Sequence, residues 1–381
     1  MTISKGVIIT KASPHTIKKF ELITKYIEAW SQKLMLNKYC NGLIFIDCMC
    51  NSGVYEDQNG KLIYGTPVHV AKVLLDVART YTNKMVNIYF NDLNKERVRE
   101  LEKHLPENER NFKIITSSEN AVSLLEHIGP QLSETSHYNY FLLYDPYDAR
   151  IDWKVLLPFF RHWGEVMINH ALLDPVRAIT SAKSDTAIEK YERTYLTDFE
   201  NLVPYGSNKK AYEKRISQIL NYMKGNRRYY IASFPFYNSK NSLQYDLIHC
   251  TSNIEGYKLY KNCAWKVFGG QSSTKGASST YIQTSFDFNS PEHAKVPVDD
   301  DCYTIHDIAE YLQNYFSGRQ DVPLKEIWDL LALHPIFPSD VFRRDIKKEL
   351  CEYYGAIKSK KSDRNTGQKQ EVISFRDNKE V

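Results

Sequence analysis

The chain predicts an α/β fold in which a doubly wound, mostly parallel sheet carries a helical insertion and is followed by a winged-helix-like domain. Three strand-like runs carry the prediction for the sheet. Gly42-Leu43-Ile44-Phe45-Ile46 runs into Asp47-Cys48, Val86-Asn87-Ile88-Tyr89-Phe90 into Asn91-Asp92, and Tyr140-Phe141-Leu142-Leu143-Tyr144 into Asp145-Pro146. Short continuous apolar runs are the mark of strands covered on both faces. Each run ends in a carboxylate, and ligands of such sheets bind outside the carboxyl ends of the strands. The first run also leads into Met49-Cys50-Asn51-Ser52-Gly53, a small-residue turn of the kind that builds a nucleotide pocket.

The elements follow in order. Ser13-Pro14 is a cap followed by a first-turn proline, and Ile17, Phe20, Ile23, Ile27, Trp30 and Leu34 then repeat at helical spacing. After the Gly53 turn the spacing predicts a loop over 55–64. Gly65-Thr66-Pro67 then opens a helix over 68–80. Strands over 86–91, 112–116, 139–145 and 165–170 alternate with helices over 94–104, 119–128 and 153–163. Such alternation argues a parallel sheet, because parallel neighbours need crossovers that are usually helical. Charged helical sequence then interrupts the strands and predicts a helical insertion over about 173–226. Two adjacent strands over 229–236 and 243–251, expected to be antiparallel, and a helix over 254–268 complete a domain of residues 1–270. The Gly-, Ser- and Thr-rich stretch 271–297 reads as a linker.

Residues 298–381 have a different texture. Helical periodicity over 304–316, 323–332 and 339–354 precedes a basic hairpin, 355–361 and 370–375, turning around Arg364-Asn365-Thr366-Gly367. Three helices and a hairpin describe a winged helix-turn-helix. Lys358, Lys360, Lys361 and Arg364 concentrate at the wing and point to nucleic-acid phosphate.

Composition sets the outer bounds. Fifty Lys and Arg against 46 Asp and Glu leave a net charge of +4, too small by itself to argue a nucleic-acid partner, so local clustering has to make that case. The sequence shows no basic-then-apolar leader and no apolar run of membrane-spanning length, which leads us to expect a cytoplasmic protein. Seven cysteines, an odd number set mostly in apolar runs, suit reduced thiols. Cys48-Met49-Cys50 lacks a second close pair with zinc-like spacing, so no metal site is assigned.

The site residues follow from position. Asp47 closes the first strand, and Asp92, ending the second, is placed to accept hydrogen bonds from ribose hydroxyls. Neither a three-glycine dinucleotide fingerprint nor a phosphate loop with its lysine is present, so a nucleoside ligand without phosphates fits best, which points to S-adenosylmethionine. Asp47, Cys48, Asn51, Gly53 and Asp92 are the candidate cofactor residues. Asp145-Pro146-Tyr147 supplies an acceptor for amine hydrogens, a rigid turn and an aromatic face for a flipped base. Asn169, ending the next strand, would help there, and Arg177 could meet backbone phosphate.

The order and spacing of these motifs resemble the three-Cys-motif partner proteins of bacteria and their phages. The likeness runs through 15–30, Phe45 to Gly53, Tyr64-Gly65-Thr66-Pro67, Tyr89 to Asn94, Leu143 to Tyr147, Val166 to Asn169, Arg177, and Tyr245 to Ser252 with Gly256. It implies a Rossmann-like sheet similar to that of class I S-adenosylmethionine-dependent methyltransferases and a possible three-Cys-motif protein as partner; the cysteines of that motif belong to the partner. Two departures stand out: Asn51 replaces a glycine of the family turn, and Asp148 follows Asp145-Pro146-Tyr147 where a glycine is usual. The expectation is therefore a methyltransferase-like protein acting on nucleic acid, at a base amine. Two alternatives stay open: a non-catalytic nucleic-acid-binding or complex-forming subunit, and a metal-dependent nuclease in which Asp47, Asp92 and Asp145 meet at one ion.

Overall fold

The computed structural model describes residues 8–134, 137–146, 150–160, 163–171, 185–198, 209–224, 229–275, 302–362 and 367–377. It divides into two compact units, Met1–Leu259 and Tyr260–Val381.

In the first unit, β1 (Thr10–Lys11) precedes α1 (Pro14–Met35), whose cap Ser13 accepts from the Thr16 N–H at 3.3 Å. Next come β2 (Gly42–Asp47), β3 (Val54–Glu56), β4 (Leu62–Tyr64), α2 (Thr66–Thr80) and β5 (Met85–Asn91). They are followed by α3 (Lys95–Glu102), β6 (Phe112–Ser117), α4 (Ala121–Glu134) and β7 (Tyr138–Tyr144). A single helical turn, α5 (Trp153–Leu156), leads into β8 (Gly164–Ala171). The insertion contributes α6 (Asp185–Tyr195) and α7 (Lys209–Lys224) before β9 (Tyr230–Tyr237) and β10 (Leu243–Thr251).

Seven of these strands form one sheet in the order β6-β5-β2-β7-β8-β10-β9. The strands β6, β5, β2, β7 and β8 are mutually parallel, and β10 runs antiparallel to both β8 and β9. This is a doubly wound Rossmann-like sheet. Strand order reverses between β2 and β7, and that switch point is where such sheets open a crevice at their carboxyl edge.

Side chains alternate between the two faces. Ile44, Ile46, Tyr140, Leu142, Tyr144 and Ile168 join one core with Leu124, Leu125 and Ile128 of α4. Tyr191 and Tyr195 of α6 and Ile216, Ile219 and Leu220 of α7 belong to that same core. The insertion is thus packed onto the sheet rather than standing apart. On the opposite face Phe45 and Phe141 stack at 5.8 Å, with Tyr26 and Trp30 of α1 against Phe141. A buried polar knot fastens α1 there. The Tyr26 hydroxyl donates to Glu165 Oε2, His249 Nε2 lies 2.9 Å from the same oxygen, and the Thr251 hydroxyl donates to Oε1 at 3.2 Å. A buried carboxylate is tolerated only with such partners.

Two local expectations differ from what is seen. The stretch 55–64, expected as a loop, contains a hairpin: β3 pairs antiparallel with β4 and parallel with β1. Its strands are three residues each, too short for a period-two signal to register. The helix expected over 153–163 is one α-turn followed by a 3₁₀ turn, Leu157–Phe159, because Pro158 withholds an N–H donor from a longer ladder.

Helix α8 (Ile254–Val267) runs across the division between the units. From Tyr260 on, its residues are held within the second unit. The Lys261 ammonium donates to the carbonyls of Leu331, Ala332 and His334, the Trp265 indole N–H donates to Ile336 O at 2.9 Å, and Asn262 donates to Asp340. The domain boundary expected at 270 therefore differs from the compact-unit division by part of a helix, and residues 276–301, which include most of the expected linker, lie outside the described residues.

The second unit continues with α9 (Ile305–Tyr315), β11 (Val322–Pro323), α10 (Leu324–Leu333), α11 (Arg343–Glu352), β12 (Ile357–Ser362) and β13 (Lys369–Ser374). Thr304 and Asp307 form a capping box on α9. The central strand β13 pairs antiparallel with β11 and β12, and Ile308, Leu312, Ile327, Leu331, Ile346, Leu350, Val372 and Ile373 are buried.

Candidate functional site

The turn after β2 keeps a left-handed form with asparagine at position 51. Asn51 adopts φ 59° and Gly53 φ 68°, left-handed conformations that Asn and Gly tolerate best. Asn51 Oδ1 accepts from the Ser52 N–H at 2.7 Å, and the Asn51 N–H donates to Asp92 Oδ2 at 3.0 Å. Asp92 Oδ1 accepts from the Asn94 N–H at 2.8 Å, and Arg97 approaches Oδ2 to 3.9 Å. Asp92, buried at the end of β5, thus staples the turn to the neighbouring strand. A Cβ on Gly53 would fall 2.4 Å from Leu101 Cδ1, so packing as well as φ requires glycine.

Asp47 is also buried, and its Oδ1 accepts from the Met49 N–H at 3.2 Å. Burial, reinforced by the charge of nearby Asp145, pushes its carboxyl up to about 8. Asp47 is therefore a neutral acid near neutrality until a cation arrives beside it. Leu93, immediately after Asp92, is 64 % exposed, an apolar side chain at the mouth of a polar turn that the sequence reading passed over.

Across the switch point, Asp145 follows β7 with buried Pro146 behind it. Asn169 of β8 donates Nδ2 to Asp145 Oδ1 at 2.6 Å, and Lys19 of α1 donates Nζ to Oδ2 at 2.6 Å. The Lys19 ammonium also lies 5.1 Å from the centre of the Tyr245 ring, close enough for a cation–π contact. The Tyr245 hydroxyl donates to His15 O at 3.2 Å. Burial and the neighbouring Lys19 charge lower the His15 imidazole, and burial above all raises the Tyr245 phenol.

The structure therefore brings Asp47, Asn51, Gly53 and Asp92 together on one side of the switch point, and Asp145, Pro146 and Asn169 on the other. Cys48 does not join them by its side chain: its thiol lies in the core and faces Leu143 O at 3.5 Å, because the residue after an inward Asp47 points to the opposite face. Tyr147, Arg177 and Arg364 lie outside the described residues. Lys19, His15 and Tyr245 were missed. Lys19 sits among the lysines of α1 with nothing in its spacing to mark it, although its i,i+4 relation to His15 could have suggested a shared face.

Asp92 is tied to backbone N–H groups and Asp145 to Lys19, and among the described residues no group of three or more His, Cys, Asp or Glu is placed to hold a metal ion. Among the described residues no helix is long and apolar enough to cross a membrane.

In the second unit two of the wing lysines are engaged. Lys358 pairs with Glu371 at 2.9 Å and Lys361 with Asp321 at 3.0 Å. Lys360 is exposed, with no carboxylate partner among the described residues. Arg344 and Lys348 of α11 are exposed as well, cations that the sequence reading did not single out.

No protein-family model and no curated protein matches the sequence. Solved structures do. An O-methyltransferase from Bacillus cereus in complex with SAH matches at 10 % identity and TM-score 0.31, over 60 % of this chain and 80 % of that one. Loganic acid methyltransferase with SAH matches at 12 % identity and TM-score 0.26, over 68 % and 87 %. An SAH-bound methyltransferase from Podospora anserina matches at 10 % identity and TM-score 0.24, over 61 % and 87 %. The fold assignment rests on the strand order and directions of the sheet itself: the first unit is a doubly wound Rossmann-like domain.

Proposed function

We propose that the chain is an S-adenosylmethionine-dependent methyltransferase that acts on nucleic acid at a base amine. One observation carries the reading: the switch point between β2 and β7 has a nucleoside-type turn on one side and an amine acceptor, Asp145, on the other. The donor set suits this cofactor. Asp92 follows β5 beside the turn, where a carboxylate can accept from ribose hydroxyls, exposed Leu93 offers an apolar platform beside it, and Asp47 would gain from a ligand ammonium that lets it ionise. Nothing in the turn resembles a phosphate cradle. When bound, the cofactor would supply an electrophilic methyl group; the chain's own residues would hold and orient the amine, so positioning would dominate catalysis.

The nucleic-acid part of the proposal rests on the second unit. Its element order, three helices with a strand between the first two and a closing hairpin, fits a winged helix. Lys360 and Arg344 would meet phosphate directly. Lys348 and Lys361 would exchange the exposed carboxylates of Glu352 and Asp321 for it, a small cost because surface ion pairs contribute little, and Lys358 would leave half-buried Glu371, which keeps Lys347.

A second reading, a non-catalytic subunit on the same sheet, is favoured by the engagement of both Asp145 oxygens by Lys19 and Asn169. Transfer of a labelled methyl group to total DNA and total RNA separates the two. The enzyme reading expects incorporation that Asp145→Ala abolishes while donor affinity stays; donor binding with no incorporation into any nucleic acid would favour the second reading.

A further inference from the structure

The Lys19 ammonium stands where the proposed function puts a target amine. It is bound to Asp145 Oδ2 at 2.6 Å, set 5.1 Å from the centre of the Tyr245 ring, and its side chain is only 11 % exposed. A carboxylate beside an aromatic ring is what a protein uses to hold an ammonium group. The pocket also offers more acceptors than Lys19 takes up. Asn169 Oδ1, on the amide that donates to Asp145, is buried with no donor among the described residues. Reversing the Asn169 amide would not satisfy its oxygen, because Oδ1 would then face the Asp145 carboxylate, one acceptor against another. A buried acceptor without a donor costs free energy, so an unfilled one on the amide that holds Asp145 argues for a second donor.

We propose that Asp145, Asn169 and Tyr245 form a binding site for a primary amine or ammonium group, that Lys19 fills it in the resting protein, and that an incoming amine enters by exchanging with Lys19. The site selects nitrogen over oxygen, since a hydroxyl brings one donor where an amine brings two or more. Only the identity of the incoming molecule rests on the methyltransferase reading. The ammonium site stands on its own geometry.

The test uses the full chain with Lys19→Ala and ethylammonium chloride as probe, compared with sodium and tetraethylammonium chloride at equal ionic strength. Ethylammonium should raise the thermal midpoint of Lys19→Ala saturably, and neither control salt should. The wild type and the double variant Lys19→Ala/Asp145→Asn should show no such rise. A folded Lys19→Ala protein that responds equally to all three salts overturns the proposal. Should Lys19→Ala not fold, reagent labelling decides. Lys19 should be acetylated by an N-hydroxysuccinimide ester about tenfold more slowly than exposed Lys360 in the wild type, and about tenfold faster in Asp145→Asn than in the wild type, as release of a charge-assisted bond implies. Equal Lys19 reactivity in the wild type and Asp145→Asn would refute it. No methyl donor enters either experiment, so failure of ammonium exchange and failure of donor binding are separate results.

Discussion

Replacing Asp47 by Asn should make the first unit more stable at alkaline pH, and the expected size follows from the buried carboxyl. Its titration in the folded state is raised from the ordinary 3.8 to about 8. A folded-state value above the unfolded one means that the native protein holds the extra proton between about pH 4 and pH 8. Stability contributed by this group is complete below that window and is lost as pH rises through about 8. A rise of roughly four pH units at about 1.4 kcal/mol each sets a ceiling of about 5 to 6 kcal/mol. Asp47 shares its surroundings with Asp145 and Lys19, which relax as it ionises, so about 2 to 3 kcal/mol is the practical expectation. Asparagine keeps an acceptor for the Met49 N–H and cannot ionise. Thermal unfolding of both proteins at pH 5.5 and 8.5 is the assay. Because pH 5.5 to about 8 covers roughly 2.5 of those four units, the wild type should lose about 3 to 7 °C more than Asp47→Asn between the two pH values, by the usual conversion for a unit of this size. Parallel pH profiles, or an Asp47→Asn protein that falls further than the wild type, would refute the reasoning.

Asp92→Ala should weaken binding of S-adenosylmethionine by about 1 to 3 kcal/mol in calorimetry, because it frees the Asn51 and Asn94 N–H groups as well as the ribose acceptor. Gly53→Ala should destabilise by about 1 to 3 kcal/mol through its φ of 68° and the contact with Leu101, read by chemical denaturation; an unchanged midpoint would count against the turn geometry. Lys360→Glu should reduce nucleic-acid affinity and the slope of log affinity against log salt by about one, whereas Lys361→Gln, which removes a lysine already paired with Asp321, should do less. Equal effects of the two would show that the carboxylate pair does not compete with phosphate.

The sheet was legible because its strands are fully buried. Six consecutive buried residues in β2 and a nearly unbroken run in β7 give the apolar signal that places Asp47 and Asp145 at one edge. Asn51 read correctly as a left-handed turn residue because that preference is local. The partners of those residues were not legible. Lys19 meets Asp145 across 126 positions and Tyr26 meets Glu165 across 139, contacts that only the packing of α1 on the sheet creates. For Cys48 the opposite held: membership in the turn suggested the pocket, while strand alternation sends its side chain into the core. The bond from Trp265 to Ile336 O was not legible either, because a helical period says nothing about which residues receive a given side chain.

Calorimetric titration of the full chain with S-adenosylmethionine, with and without Mg2+, tests the central claim most directly. The account predicts saturable binding at one site per chain, indifferent to Mg2+ and weakened by Asp92→Ala. No binding to the folded wild type would contradict it.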